Sequence, residues 1–316
     1  MTLFASVLAA SIPMFLYLIF LWRLDKNERE SFFSILRYFV WGAFGAILLG
    51  IIFSLSVQQI FQIFITNENQ LTFIGAVFIA PLIEESTKGI YLLFTVKKKN
   101  FDNITDGLVY GGAIGLGFGM TENLMYFLNF NENVFQWASM VFIRSVFSAV
   151  MHGIATATFG AFLAKWKFTN SRIKNIYPFI GLSLAMFFHF LWNFSVTFQF
   201  TFGFGILFMI FLIIIFLILF KQSINSERKL IKEELAEESE ILNLPVLKEL
   251  NFSSKYLNVF DERSSNKLLK NLSAKLAFRK FQVKNTNGDL RENYISDIEF
   301  YRKKILELFL SEKQLG

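Results

Sequence analysis

LTFIGAVFIAPLIEESTKGIYLLFTV, Leu71 to Val96, is long enough to cross a bilayer, yet it carries Glu84, Glu85 and Lys88 in its middle. A spanning helix needs about 20 apolar residues for about 30 Å of hydrocarbon. An ionisable residue at that depth costs at least about 2.5–3.5 kcal/mol on insertion scales, so two adjacent carboxylates there point to a site. The plainer reading is a buried ion pair, because Lys88 follows Glu84 by four residues and Glu85 by three and shares their helix face. Lys88 could also reach toward the cytoplasmic interface on its own.

The rest of the chain agrees with a membrane location. Its 316 residues are 54% hydrophobic, with 42 Phe, a membrane composition rather than that of a soluble core. There is no Cys, which removes disulfides, thiolate catalysis and Cys-rich metal sites. The net charge of +6 is spread over short loops and a mixed-charge tail, so it reads as a topology signal and not as a nucleic-acid surface. Seven runs qualify as spans: residues 3–22, 38–57, 71–96, 107–128, 137–164, 177–200 and 201–220, the last two joined by almost no loop. The connections after the first, third, fifth and seventh carry Arg23, Lys26, Arg29 and Arg37, then Lys97 to Lys99, then Lys165, Lys167, Arg172 and Lys174, then the basic start of the tail. Those after the second, fourth and sixth carry no Lys or Arg. The N-terminus is therefore expected outside and the C-terminus in the cytoplasm.

The fold expected is all-α: a polytopic membrane helix bundle of about seven transmembrane helices in residues 1–220 and a charged, amphipathic cytoplasmic tail in 221–316. In the tail, residues 225–242, 265–282 and 290–310 read as helices, the last two separated by the turn-like Asn287-Gly288-Asp289. The tail shows no catalytic constellation.

Small residues mark the faces on which membrane helices pack. Ala76, Ala80, Glu84 and Lys88 recur every four residues, as do Gly107, Gly111, Gly115, Gly119 and Asn123; Ala149, Gly153, Ala157 and Ala161; and Gly181, Ala185, His189 and Asn193. His152 lies beside the third stripe, and Glu122 returns close to the second. At about 1.5 Å per residue, Glu84, Glu85, His152 and His189 form a midplane layer, and Glu122, Asn193 and Arg144 an outer one. Arg144 and Glu122, at matching depth on antiparallel spans, are expected to pair. Pro81 cannot donate to the carbonyl four residues back and should kink its helix just before the carboxylates. The freed carbonyls need partners, and the place should be wet.

Carboxylates and imidazoles around water suit general acid–base hydrolysis. The same groups, with His152, His189 and Glu122 as ligands, could hold zinc. Because His189 and Asn193 share a face fit for an oxyanion, the metal-free scheme is the one favoured. Glu84 shares its stripe with Ala76 and Ala80 and is expected to be the base, with Glu85 a protonated support. Intramembrane acids and histidines also line transport pathways, so a transporter or channel is the competing class, with a non-catalytic scaffold as a third.

Glu84-Glu85-x-x-Lys88, the stretch DGLVYGGAIGLGFGMTEN from Asp106 to Asn123 with its Phe118-x-x-x-Glu122-Asn123, R-S-x-x-S-A-V-M-H-G from Arg144 to Gly153, and His189-x-x-Trp192-Asn193 together resemble the PrsW intramembrane proteases, relatives of the CAAX prenyl endopeptidases. The resemblance covers residues 71–200. It implies an endopeptidase of the bacterial cell membrane that cleaves a membrane-anchored protein such as an anti-sigma factor. By that resemblance Glu84 and Glu85 match the paired catalytic glutamates, Glu122 the second motif, His152 the lone histidine, and His189 with Asn193 the final motif. Lys88 stands where the prenyl branch has Arg, and Glu122 where it has His.

Overall fold

A computed structural model describes residues 2–99, 101–130, 133–169, 171–242, 244, 247, 264–286 and 288–315. Among them there is no strand. The chain divides into two compact units, one of residues 1–24, 30–167 and 171–220, the other of 25–29, 168–170 and 221–316.

The first unit is built from α1 (Leu3–Leu24), α2 (Phe32–Gln62), α3 (residues 68–95), α4 (Ile104–Asn129), α5 (Val134–Phe168), α6 (Tyr177–Thr197) and the start of α7 (Phe202–Ile241). Of these, α1, α2, α5, α6 and α7 are long and apolar enough to cross a membrane, whereas α3 and α4 carry too much polarity or glycine to qualify by composition. Helices α3, α4 and α5 begin three residues before the apolar runs at 71, 107 and 137, because polar caps extend them. Asn67, Asn103 and Asn133 each accept a hydrogen bond from the N–H three residues on, and Asp106 completes a capping box with Asn103. The join between α6 and α7 is a turn in which Thr201 Oγ1 donates to Ser195 O at 2.8 Å.

Helix α4 is the centre of this unit and is buried almost throughout its first sixteen residues. Glycine makes that possible. A Cβ on Gly107, Gly111 or Gly115 would overlap the backbone of α5 at Gly160, Thr156 or His152, and one on Gly117 would overlap Phe39 O of α2. The stripes read from the sequence on α4 and α5 are thus one backbone-to-backbone seam.

Among the described residues three π-turns interrupt the bundle: Trp41–Ala46 in α2, Gly75–Ile79 in α3 and Arg144–Ser148 in α5. The second stands where Pro81 was expected to disturb the helix. Pro81 has no N–H and its ring crowds the preceding turn, so the backbone widens there. Ala80 N–H bonds Gly75 O, five residues back.

The second unit contains the end of α7, α8 (Ser264–Asn285) and α9 (Asp289–Leu315). Its apolar cores are Ile231, Leu235, Ala274, Ala277 and Phe278, and Leu247, Leu269, Leu276, Ile298 and Ile305. Buried Glu238 is held by Lys280 at 3.0 Å and Arg302 at 2.7 Å. Gly288, at φ 72°, turns α8 into α9. Asn287 of the expected turn lies outside the described residues, as do 131 and 132 of the loop between α4 and α5.

Candidate functional site

Helices α3, α4, α5 and α6 each bring ionisable groups to one buried cluster. From α3, Lys88 is fully buried and turned inward, not toward an interface. Its Nζ donates to Glu85 Oε1 at 2.7 Å and meets His152 Nδ1 at 2.8 Å; Glu84 Oε2 is 3.7 Å away and the Phe118 ring 3.9 Å. Two acceptors, a further carboxylate and an aromatic face replace the water it would otherwise seek.

Glu85, although rotated off the Ala76 and Ala80 stripe, is the most engaged residue of the cluster. Its Oε1 accepts from Lys88 and lies 3.0 Å from His189 Nδ1, and its Oε2 accepts from Thr156 Oγ1 at 3.2 Å. Both oxygens act as acceptors, so Glu85 does not have the surroundings expected of a protonated support. Glu84 is the contrasting case. Its side chain is 16% exposed, its Oε2 has no hydrogen-bond partner among the described residues, and His189 Nε2 lies 3.9 Å away.

His152 of α5 uses both ring nitrogens, Nδ1 toward Lys88 and Nε2 toward Glu122 Oε2 at 2.9 Å. Lys88 can only donate to Nδ1, which fixes the neutral tautomer with its hydrogen on Nε2, pointing at Glu122. The expected pairing of Arg144 with Glu122 is present, Nη2 to Oε2 at 2.7 Å as an ion contact, while Arg144 Nε donates to Asn123 Oδ1 at 3.0 Å. The two expected layers are therefore one chain of contacts, Lys88 to His152 to Glu122 to Arg144. Asn193 stands apart from it. Its Nδ2 donates to Ala76 O at 2.8 Å, on the π-turn of α3.

The ligand trio suggested by the sequence, His152, His189 and Glu122, is not the one gathered here. Among the described residues, the acid and imidazole atoms within 4.8 Å of one another belong to Glu84, His152 and His189. Sequence reasoning passed over Thr156, although it lies one turn after His152 on the same face of α5.

Comparison with known proteins bears on what this cluster is for. The profile of the family described as "PrsW family intramembrane metalloprotease" matches residues 30–220, the span that contains every residue of the cluster. The chain belongs to the PrsW family. Protease PrsW of Oceanobacillus iheyensis is 31% identical over 193 residues, 60% of this chain and 82% of the relative. Protease PrsW of Clostridioides difficile is 27% identical over 190 residues, 59% and 77%, and Protease PrsW of Bacillus subtilis 24% over 200, 62% and 84%. No solved structure matches. As a PrsW-family protein the chain is an integral membrane peptidase, and the cluster of α3 to α6 lies inside its family-defining region.

Proposed function

We propose that this PrsW-family protease hydrolyses a peptide bond of a membrane-anchored protein, anti-sigma-factor-like, with a water held between Glu84 and His189. The single observation that carries the reading is the contrast between the carboxylates: Glu85 is saturated by donors, and Glu84 Oε2 is unbonded beside His189 Nε2. Their separation of 3.9 Å is too long for a direct hydrogen bond and suits one water bonded to both. His189 Nδ1, tied to Glu85, directs the free Nε2 toward that water. Glu84 takes a proton from the water as its oxygen attacks the scissile carbonyl, then returns the proton to the leaving amine, so acid and amine are released. The Lys88 ammonium, 3.7 Å from Glu84, is a fixed positive charge beside the anionic intermediate.

The family description includes a metal. A catalytic zinc takes three protein ligands and a water, and lowers the pKa of that water. Glu84 and His189 each have an atom to offer, but His152 has both nitrogens bonded and an ammonium 2.8 Å away. A metal on Glu84, His152 and His189 would have to displace Lys88 or Glu122 from His152, which favours the metal-free scheme. Orientation, from the loop charges, is N-terminus outside and C-terminus cytoplasmic in a bacterial cell membrane. Reconstitution in liposomes with candidate single-span substrates, with products identified by mass, tests the reading. Cleavage by the native chain and none by Glu84→Gln supports it, and equal cleavage by both overturns it.

A further inference from the structure

Ala76 O has neither its α-helical nor its π-helical donor. At α-helical spacing its partner is Ala80 N–H, which is bonded to Gly75 O instead. At π spacing its partner is residue 81, and Pro81 has no hydrogen to give. A backbone carbonyl within a membrane bundle needs a partner from elsewhere, and Asn193 Nδ2 of α6 supplies it at 2.8 Å. Asn193 follows His189 by one turn on the same helix face. That face therefore grips the π-turn of α3 and, one turn earlier, presents the imidazole that bonds Glu85 on the same helix.

A carbonyl of the π-turn in α2 also takes a side-chain donor. Ile47 N–H, the α-helical partner of Ala43 O, goes to Phe44 O, and Thr121 Oγ1 of α4 donates to Ala43 O at 2.7 Å. Thr121 directly precedes Glu122. In both places a side chain within one turn of a cluster residue bonds a carbonyl inside a neighbouring π-turn.

We propose that Asn193 is a positioning residue: it locks the π-turn of α3 to α6 and so sets Glu84 and Glu85 against His189, without touching the reacting peptide. The need for Asn193 then comes from Pro81. This deepens the hydrolytic reading and rests on it only for the cleavage arm of the test.

The first measurement is hydrogen–deuterium exchange of the peptide covering residues 75–80 in native protein and Asn193→Ala, in the same detergent. The lock predicts faster exchange there by at least about tenfold, with α4 unchanged; equal exchange overturns it. The second is a cycle of Pro81→Ala, Asn193→Ala and the double variant, read as kcat and KM on one substrate. Asn193→Ala is expected to lower kcat by about 100-fold through misplacement of the carboxylates. In the Pro81→Ala background, where residue 81 regains an N–H, the same change should cost less than about threefold. An equal kcat loss in both backgrounds would mean that Asn193 acts on the substrate directly, and would overturn the proposal. Where Pro81→Ala itself abolishes cleavage, the exchange of 75–80 in the double variant decides: recovery to the Pro81→Ala rate supports the lock, and a full Asn193→Ala increase refutes it. Failure of cleavage in the native chain, with exchange as expected, would leave the lock standing and sink the hydrolytic reading alone.

Discussion

Exchanging each carboxylate for its amide should separate stability from chemistry at two adjacent positions. Glu85 lies 2.7 Å from Lys88 Nζ, a Coulomb attraction of about 6 kcal/mol at an effective dielectric of 20. Glu85→Gln keeps the shape and removes the charge, which leaves a buried ammonium with poorer company and puts an NH2 group against Thr156 or His189. Breaking such a buried pair costs about 3–5 kcal/mol. Glu84→Gln strands no partner, since Glu84 Oε2 holds no hydrogen bond and Lys88 keeps both Glu85 and His152. Its stability cost should stay below about 1 kcal/mol, while cleavage should fall by about 10²–10⁴ with loss of the base. The assay is unfolding of each variant in detergent beside initial cleavage rates in liposomes. The expected pattern is a stable, inactive Glu84→Gln and a destabilised Glu85→Gln that retains a measurable rate when kept folded. A Glu85→Gln protein as stable as the native chain, or a Glu84→Gln protein with more than about a tenth of the native rate, would refute the assignment.

Gly115→Ala should cost about 1–3 kcal/mol and depress cleavage, because its Cβ falls on His152 O. Gly203→Ala, with nothing within 4 Å of the new methyl, should leave unfolding and cleavage as they are. Exhaustive chelation should leave the cleavage rate intact and the purified protein should hold under about 0.1 equivalent of zinc; activity that vanishes and returns with added metal would contradict the metal-free scheme. Single cysteines at Lys97 to Lys99 should label only from the cytoplasmic side and one at Asn129 only from outside, and labelling of the Lys97 region from outside would break the seven-span arrangement. Burial pushes the Glu238 carboxyl up, but hydrogen bonds from Arg302 and Lys280 outweigh it and hold it below the usual carboxylate value. Its stabilisation is present above the unfolded pKa of about 4.3 and is lost as pH falls through the lowered value, so exchange in α8 and α9 should rise on acidification below about pH 4, less so in Glu238→Gln.

The parts of the site readable in the sequence were those governed by helical period. Gly107, Gly111 and Gly115 against Ala149, Gly153 and Ala157 is a spacing of four on two helices, and matching depth alone paired Arg144 with Glu122. What could not be read depends on where side chains end. The period places Lys88 on the face of Glu84, but that its amine turns into the bundle depends on His152 and Phe118, contributed by other helices. Glu85 looked like the spare carboxylate because it leaves the stripe, yet Thr156 and His189 arrive from two other helices to bond it. Asn193 was matched to His189 by spacing, and the distortion at Pro81 was expected. The bond that joins the two, from Asn193 to Ala76 O, is a tertiary contact that no single helix reveals.

The helices that carry Glu84, Glu85, Lys88 and Glu122 are the two of the first unit that are less apolar than its other long helices. For biogenesis this reverses the usual order, in which each span enters on its own hydrophobicity and assembles afterwards. Helix α4 is comfortable only when α1, α2 and α5 surround its glycine faces, so its entry should wait on partners already in the membrane or arriving with it. A ribosome that stalled before α5 emerged would leave α4 without one wall of its seam. The same glycines that let the backbones touch thus make the nascent protease dependent on the pace and order of its own synthesis.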